Sequence, residues 1–534
     1  MTSTPRVFAA ILTLAALCLA GCGSSGSTAS GAGDATDFVA DDTFADAAIG
    51  EIWVDDSGPL PQQVRPDLTL YDGDALHVLA GASGSAADGS AANPFPSIQA
   101  AVDAAGDKQL IVVAEGTYNE TLVLPSARSL RLAGSYSADF TTRSLDDHLT
   151  RIVGTAGASV VSLVFEEGPG AQGILLLDGF ALSGGHRGLF VENVGNGGEL
   201  EVTVINNTLE NNKGLVGSGD FGGGLYLSGA SCDVQWNVIQ NNECGKGAGV
   251  MILLRDSFRT FRLSNNAIMG NKARSDHGGG VYIAAGSGTV AFNQILNNSV
   301  EEEWGWGGGM IIDGATASDL NGDTIVELVG NLYRGNSSPG SGSALFVDEG
   351  ANVVASNELI VGNVVREGGR SGAVYVDGPQ GSAGVKTVLR QCTIADNIGG
   401  ADSSGHAVVA EDKSVVQLVN CILWGNSAAG DRAQLQTASG AAIAVAWSLC
   451  DGGCQGSGNL ESDPLFAGGG DYHLRSKGGR WLAGEWIVDQ EQSPAIDAGD
   501  ASSPFDMEPL PNGGRANMGA YGNTEQASKS LGTL

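Results

Sequence analysis

One six-residue pattern, returning every 27 to 38 residues, limits this chain to very few folds. It reads Asn-x-apolar-x-x-Asn, with Tyr once in the apolar place, at 207–212, 237–242, 266–271, 293–298 and 331–336. Looser copies stand at 358–363, 392–397 and 421–426. The closing position is Asn in all eight: Asn212, Asn242, Asn271, Asn298, Asn336, Asn363, Asn397 and Asn426. A second signal keeps step 7 to 12 residues later, a small residue before a short apolar run: Gly224, Gly249, Gly280, Gly309, Ala344 and Ala373. Runs this short, β-branched and Gly-bounded are strands, not amphipathic helices. They lack regularly spaced two-residue hairpin turns, so an antiparallel meander fits poorly.

The expected fold is all-β, a right-handed parallel β-helix of about twelve coils stacked ~4.8 Å apart, giving a rod roughly 55–60 Å long. Each coil places equivalent residues in one column. Asn tolerates the left-handed conformation and can hydrogen-bond to the Asn above and below, so the Asn column is expected at a tight turn, with Gly at the opposite corner for positive φ. A solenoid needs covered ends. Ser97 can N-cap a short helix whose Ile98, Val102 and Ala105 share one face, a plug for the first coil. Residues 459–534 lose the repeat and read as an irregular C-terminal cap.

Composition bounds the function. Gly is 82 of 534 residues, about twice the usual ~7%, but without the three-residue period of collagen. An apolar share of 42% excludes an acidic disordered chain. Lys+Arg 27 against Asp+Glu 60 gives −33, which repels phosphate backbones and excludes nucleic acid as a partner. Anionic polysaccharides would need a bridging divalent cation.

The N-terminus carries an address. Residues 1–21 have a basic start at Arg6 and an apolar stretch from Val7 to Ala20, too short to span a bilayer. Leu19, Ala20, Gly21 and Cys22 resemble the lipobox of bacterial lipoproteins. The resemblance implies a lipid on Cys22, membrane as a partner, and export to the outer membrane or cell surface. Residues 22–50 then form a flexible acidic tether, 51–458 the β-helix and 459–534 the cap, and a monomer is expected.

Two further stretches carry a family likeness. Asp88 to Phe95 (DGSAANPF), with Ile98 to Val102 and Gly116 to Glu120 (GTYNE), resembles the start of bacterial right-handed parallel β-helix proteins of the pectate-lyase-like superfamily. Ser493 to Asp500 (SPAIDAGD) and Asn512 to Gly522 (NGGRANMGAYG) resemble the C-terminal segment of β-helix surface proteins called choice-of-anchor. The superfamily includes polysaccharide lyases and hydrolases. Lyases use Arg or Lys beside calcium. Candidate basic groups here are Lys386/Arg390, Arg366/Arg370 and Arg255/Arg259/Arg262, none beside an acidic cluster, and the hydrolase signatures are missing apart from an isolated Asp146-Asp147-His148.

Register offers a different candidate. The loops between Asn and Gly corners should stack on one edge. They bring together Asp220, Phe221, Lys246, Arg274, Asp276, His277, Glu301, Glu302, Glu303, Trp304, Trp306, Arg366, Glu367 and Arg370. Trp304 and Trp306, two apart, would share a face of an extended strand. They either stack on sugar rings beside the carboxylates and His277 or pack against neighbouring loops. The readings left open are a structural or adhesive surface protein with a carbohydrate-binding edge, a polysaccharide lyase or hydrolase, and a protein-interaction scaffold. Asp319, Asn321 and Asp323 match the first three oxygen positions of a calcium loop without its Gly or Glu, so they are a polar turn or a weak calcium candidate. Besides Cys18 and Cys22 six cysteines remain. Cys450 and Cys454 can close a tight loop. Cys392 and Cys421 occupy one slot in adjacent coils, as a disulfide or as stacked thiols, and Cys232 with Cys244 is the residual pair.

Overall fold

The computed structural model describes residues 70–531 except 72–73, 84–86, 216, 218, 255–258, 315–323, 367–371, 379–385, 400–405 and 428–431. The signal segment, Cys22, the tether, Asp319, Asn321, Asp323, Arg255, Glu367 and Arg370 lie outside the described residues.

Three long parallel sheets form the body. The first has thirteen strands, from Ala75–Val78 to Ala442–Ala446. The second has eleven, from Leu122–Leu124 to Leu435–Thr437, and the third twelve, from Gly116–Tyr118 to Leu449–Cys450. A fourth sheet of five two-residue strands runs from Glu243–Cys244 to Val364–Val365. Each strand pairs in parallel with its equivalents one coil before and after, which makes the body a parallel β-helix of about twelve coils, right-handed as parallel crossovers are.

The core is built from columns. In the third sheet Leu182, Leu209, Ile239, Ile268, Ile295, Tyr333, Ile360, Ile394 and Leu423 stand in register, every one fully buried. Each caps the one below, so apolar burial is continuous along the axis.

The Asn column is a hydrogen-bonded ladder. Each Asn Nδ2 donates to the Oδ1 of the next, from Asn212 to Asn242 (3.0 Å) through Asn271, Asn298, Asn336 and Asn363 to Asn397 and Asn426 (2.8 Å). The left-handed residue is not the ladder Asn, as its tolerance of that conformation suggested, but the one before it. Asn211, Asn241, Gly270, Asn297, Gly335, Gly362, Asp396 and Gly425 all have φ between +52° and +70°. That kink points the next side chain inward, where its amide can be shared between coils. The opening position of the motif is a second ladder, Asn207–Asn237–Asn266–Asn293–Asn331, with Nδ2–Oδ1 distances of 2.9–3.1 Å.

Gly224, Gly249, Gly280 and Gly309 are needed for closeness, not for positive φ. A Cβ on any of them would sit 2.4–2.6 Å from the carbonyl oxygen of the next coil and about 3 Å from a ladder Nδ2. The positive φ falls two residues earlier, at Gly222, Gly247, Gly278 and Gly307.

The helix Ile98–Ala104 begins at Ser97, whose side chain accepts from the Ala100 N–H at 3.2 Å. Its buried Ile98, Ala101 and Val102 join the core at the first coils. The last residues form two short antiparallel hairpins and turns. They dock along the flank of the third sheet more than over the open end. Asn357 Nδ2 donates to the Ala520 and Gly522 carbonyls (2.8 Å each), Ala520 N donates to Thr393 Oγ1 (2.9 Å), and Tyr521 packs with Leu332, Leu359 and Ala395. This explains part of the NGGRANMGAYG run: a Cβ on Gly519 would lie 2.7–2.8 Å from Ile422 and Thr393.

Candidate functional site

The loop edge is real as a stack, and most of its side chains are spent on one another. Arg187 pairs with Asp220 (2.8 Å), which also meets His186 Nε2 (2.5 Å). Arg274 bridges Glu243 (2.5 Å) and Glu301 (3.2 Å), and Lys272 also reaches Glu301 (3.1 Å). Lys246 stands over the Tyr282 ring at 4.5 Å and reaches Asp276 at 3.5 Å. Each pair crosses from one coil to another, so these charges lock loops in place. Arg366 donates to the Val300 carbonyl.

His277 and the two tryptophans separate. The Trp306 N–H donates to His277 Nδ1 (3.1 Å), so Nε2 carries the ring proton and donates to Asp276 (2.9 Å). The His277 ring stacks on Trp306 at 4.5 Å, Trp306 on Phe346 at 5.0 Å, and Phe346 on Tyr375 at 5.0 Å, all within 9° of parallel. This aromatic file extends an outer column of the second sheet: Tyr226, Met251, Tyr282, Ile311, Phe346, Tyr375 and Val409. The Gly305 N–H bonds the Glu302 carbonyl (2.8 Å), folding 302–305 into a turn. The turn takes Trp304 out of any strand, and the expected shared face does not form. Trp306 packs inward while Trp304 stands 68% exposed beside the exposed Glu301, Glu302 and Glu303.

Two features escaped the reading of the sequence. Two residues beyond the outer column comes a file of acids, Asp313, Asp348, Asp377 and Glu411. Tyr282 donates to Asp313 and Tyr375 to Glu411. Burial, then Asp313 and Asp377, pushes the Asp348 carboxyl well above its usual range. The second is Glu358, which replaces Asn in the opening ladder. It is fully buried, accepts from Asn331 N (3.3 Å) and Nδ2 (3.1 Å), and burial pushes it up to about 8. Its place in the motif was visible, but not the hydrogen-bonded column that made the place consequential.

The basic candidates do not converge. Lys386 and Arg390 stand four residues apart at the exposed ends of one strand, Arg262 is paired with Asp233 (2.6 Å), and His148 meets Glu115 (3.1 Å). Among the described residues no three His, Cys, Asp or Glu side chains gather as metal ligands. Cys450 and Cys454 are bonded to each other, and the other four described cysteines are free and buried. The Cys232–Cys244 pair does not form: Cys232 belongs to the main core and Cys244 to a separate cluster with Ala248, Ala273 and Val300. Burial pushes both thiols up to about 12, so they are inert at neutral pH. Cys392 and Cys421 share their slot as free thiols, each donating to a backbone carbonyl, Arg390 O (3.3 Å) and Leu389 O (3.4 Å).

Among the described residues, fold and edge together define a parallel β-helix whose loop edge ties coil to coil by ion pairs and projects one indole, Trp304. A family model described as Disaggregatase related matches residues 340–499, under a third of the chain. Among solved structures the chain is similar to the pectate lyase Pel9A, at 14% identity over 84% of this chain and 96% of that one, with a TM-score of 0.36. No curated protein matches it in sequence.

Proposed function

We propose that this chain is an exported, lipid-tethered β-helix with a structural or adhesive role at a cell surface, touching carbohydrate through Trp304. The observation that carries the reading is the contrast between the two edge indoles. Trp306 is locked in an aromatic stack, while Trp304 is 68% exposed with the exposed Glu302 and Glu303 next to it in sequence. A flat indole stacks on a sugar face, and carboxylates accept from its hydroxyls. Arg187, Lys246 and Arg274 of the edge are already paired with acids, which favours neutral over acidic glycans.

Trp304→Ala is expected to weaken retention on a glycan array several-fold and leave the melting temperature unchanged. Trp306→Ala is expected to lower stability by about 2–3 kcal/mol, since it removes the middle of a packed stack. Equal retention by wild type and Trp304→Ala would contradict the reading. The tether is tested separately. Cys22→Ser should move the protein from the membrane fraction to the soluble fraction, because stable anchoring needs the acyl chains. Unchanged attachment would rule the lipid out.

A further inference from the structure

Among the described residues nothing closes the solenoid fully at its C-terminal end. Leu435, Ala441 and Ile443 face the core and pack against it, yet all three remain partly exposed. Their equivalents one coil earlier, Val408, Ser414 and Val416, are fully buried. The difference is the cover that one more coil would provide.

The backbone shows the same vacancy. Ala438 N donates back to Ala410 O (3.0 Å) and Ala442 N back to Ser414 O (2.9 Å). In a parallel ladder alternate residues point opposite ways, so Leu435, Thr437 and Ile443 direct their N–H and C=O groups away from the stack. The turn held by the Cys450–Cys454 bond covers only the neighbouring part of the end, where Asn459 Nδ2 donates to Val445 O (3.2 Å). The flank-docked C-terminal segment leaves Thr437, Ala442 and Ala444 exposed.

Open strand edges are normally defended by charge or proline. Here residues 433–450 contain no charged residue and no proline, in a chain of net charge −33. Two copies that meet through these strands therefore bring no like charges of the strands themselves together. The far end cannot be the partner surface, because the helix Ile98–Ala104 packs into the first coils. A head-to-tail fibre is thus blocked, and a two-fold pairing closes both open edges at once.

We propose that the C-terminal end of the β-helix is a homodimer interface, in which the edge strands Leu435–Thr437 and Ala442–Ala446 meet the same strands of a second copy across a two-fold axis. The joint is made of backbone hydrogen bonds around a small apolar centre of Leu435, Ala441 and Ile443.

The test is sedimentation velocity on the full chain carrying Cys22→Ser, over a concentration series into the tens of micromolar. Wild type should sediment as a dimer. Thr437→Pro removes an outward N–H without touching a rung of the stack, and Ala444→Glu sets a like charge in each copy. Each should shift the chain to monomer at least ten-fold higher in concentration, with unchanged circular dichroism and an unchanged melting temperature at low concentration. A wild-type chain that stays monomeric throughout, or a dimer that both variants leave intact, overturns the proposal.

Discussion

Asn271→Ala should lower the free energy of unfolding by roughly 3–6 kcal/mol although it removes no apolar contact of note. The Asn271 amide donates to the Ile239 carbonyl (2.8 Å) and to Asn298 Oδ1 (3.0 Å), and its Oδ1 accepts from both Asn242 N (3.1 Å) and Nδ2 (3.0 Å). Alanine takes the acceptor from Asn242 N and one donor from the Ile239 carbonyl, and leaves Asn242 Nδ2 and Asn298 Oδ1 with one partner each, Leu209 O and the residue 271 N–H, at about 1–3 kcal/mol for each buried group that water cannot reach. The loss also interrupts a polarised chain of amides, so it should exceed that of the terminal Asn426→Ala. Asn196→Ala, at an exposed position with one bond to Glu166 O, should cost under about 1 kcal/mol. Urea titrations with fitted slopes check both values. A loss at Asn271 no larger than at Asn196 would mean that the ladder is decoration.

The second large effect is pH-dependent. Burial raises the Glu358 carboxyl from 4.5 to about 8. The folded chain therefore keeps a proton that the unfolded chain releases. Stability from this group is complete below about pH 4.5, falls as pH rises towards 8, and is level above that. At ~1.4 kcal/mol per pH unit the swing is on the order of 5 kcal/mol. Glu358→Gln keeps the acceptor for Asn331 and cannot ionise, so its advantage over wild type should grow from pH 5 to pH 8 and then stop growing. Parallel stability profiles for the two chains would show that Glu358 carries no such burden.

The fold was legible because a solenoid writes its geometry along the chain. The motif spacing located the third sheet, the small-residue signal located the second, and Ser97 marked the helix that covers the start. What failed was the physics assigned to particular corners. Asn212 and its successors were given the left-handed turn that belongs to the residue before them, and Gly224 was given a positive φ when its role is to let a carbonyl of the next coil approach. The aromatic file was present in plain view as the third residue of Gly224–Leu227, Gly280–Ile283 and Ala373–Val376. Its meaning depends on a loop folding back over the sheet, which spacing does not report. The same limit separated Trp304 from Trp306, because one hydrogen bond from Gly305 to Glu302 puts Trp304 in a turn. The C-terminal segment was recognisable by its motif, but its path along the third sheet has no periodicity to betray it.

Equivalent residues lie one coil apart in space, however many residues separate them in sequence. Glu201 and Ile325 are four rungs apart in the first sheet, and Glu201 and Val415 are seven. Nitroxide labels on cysteines placed at these exposed positions should give mean separations of about 19 Å and about 34 Å by pulsed electron resonance. Distances that fail to rise in proportion to the rung count would contradict the stack, and with it the ladders, the loop edge and the open end.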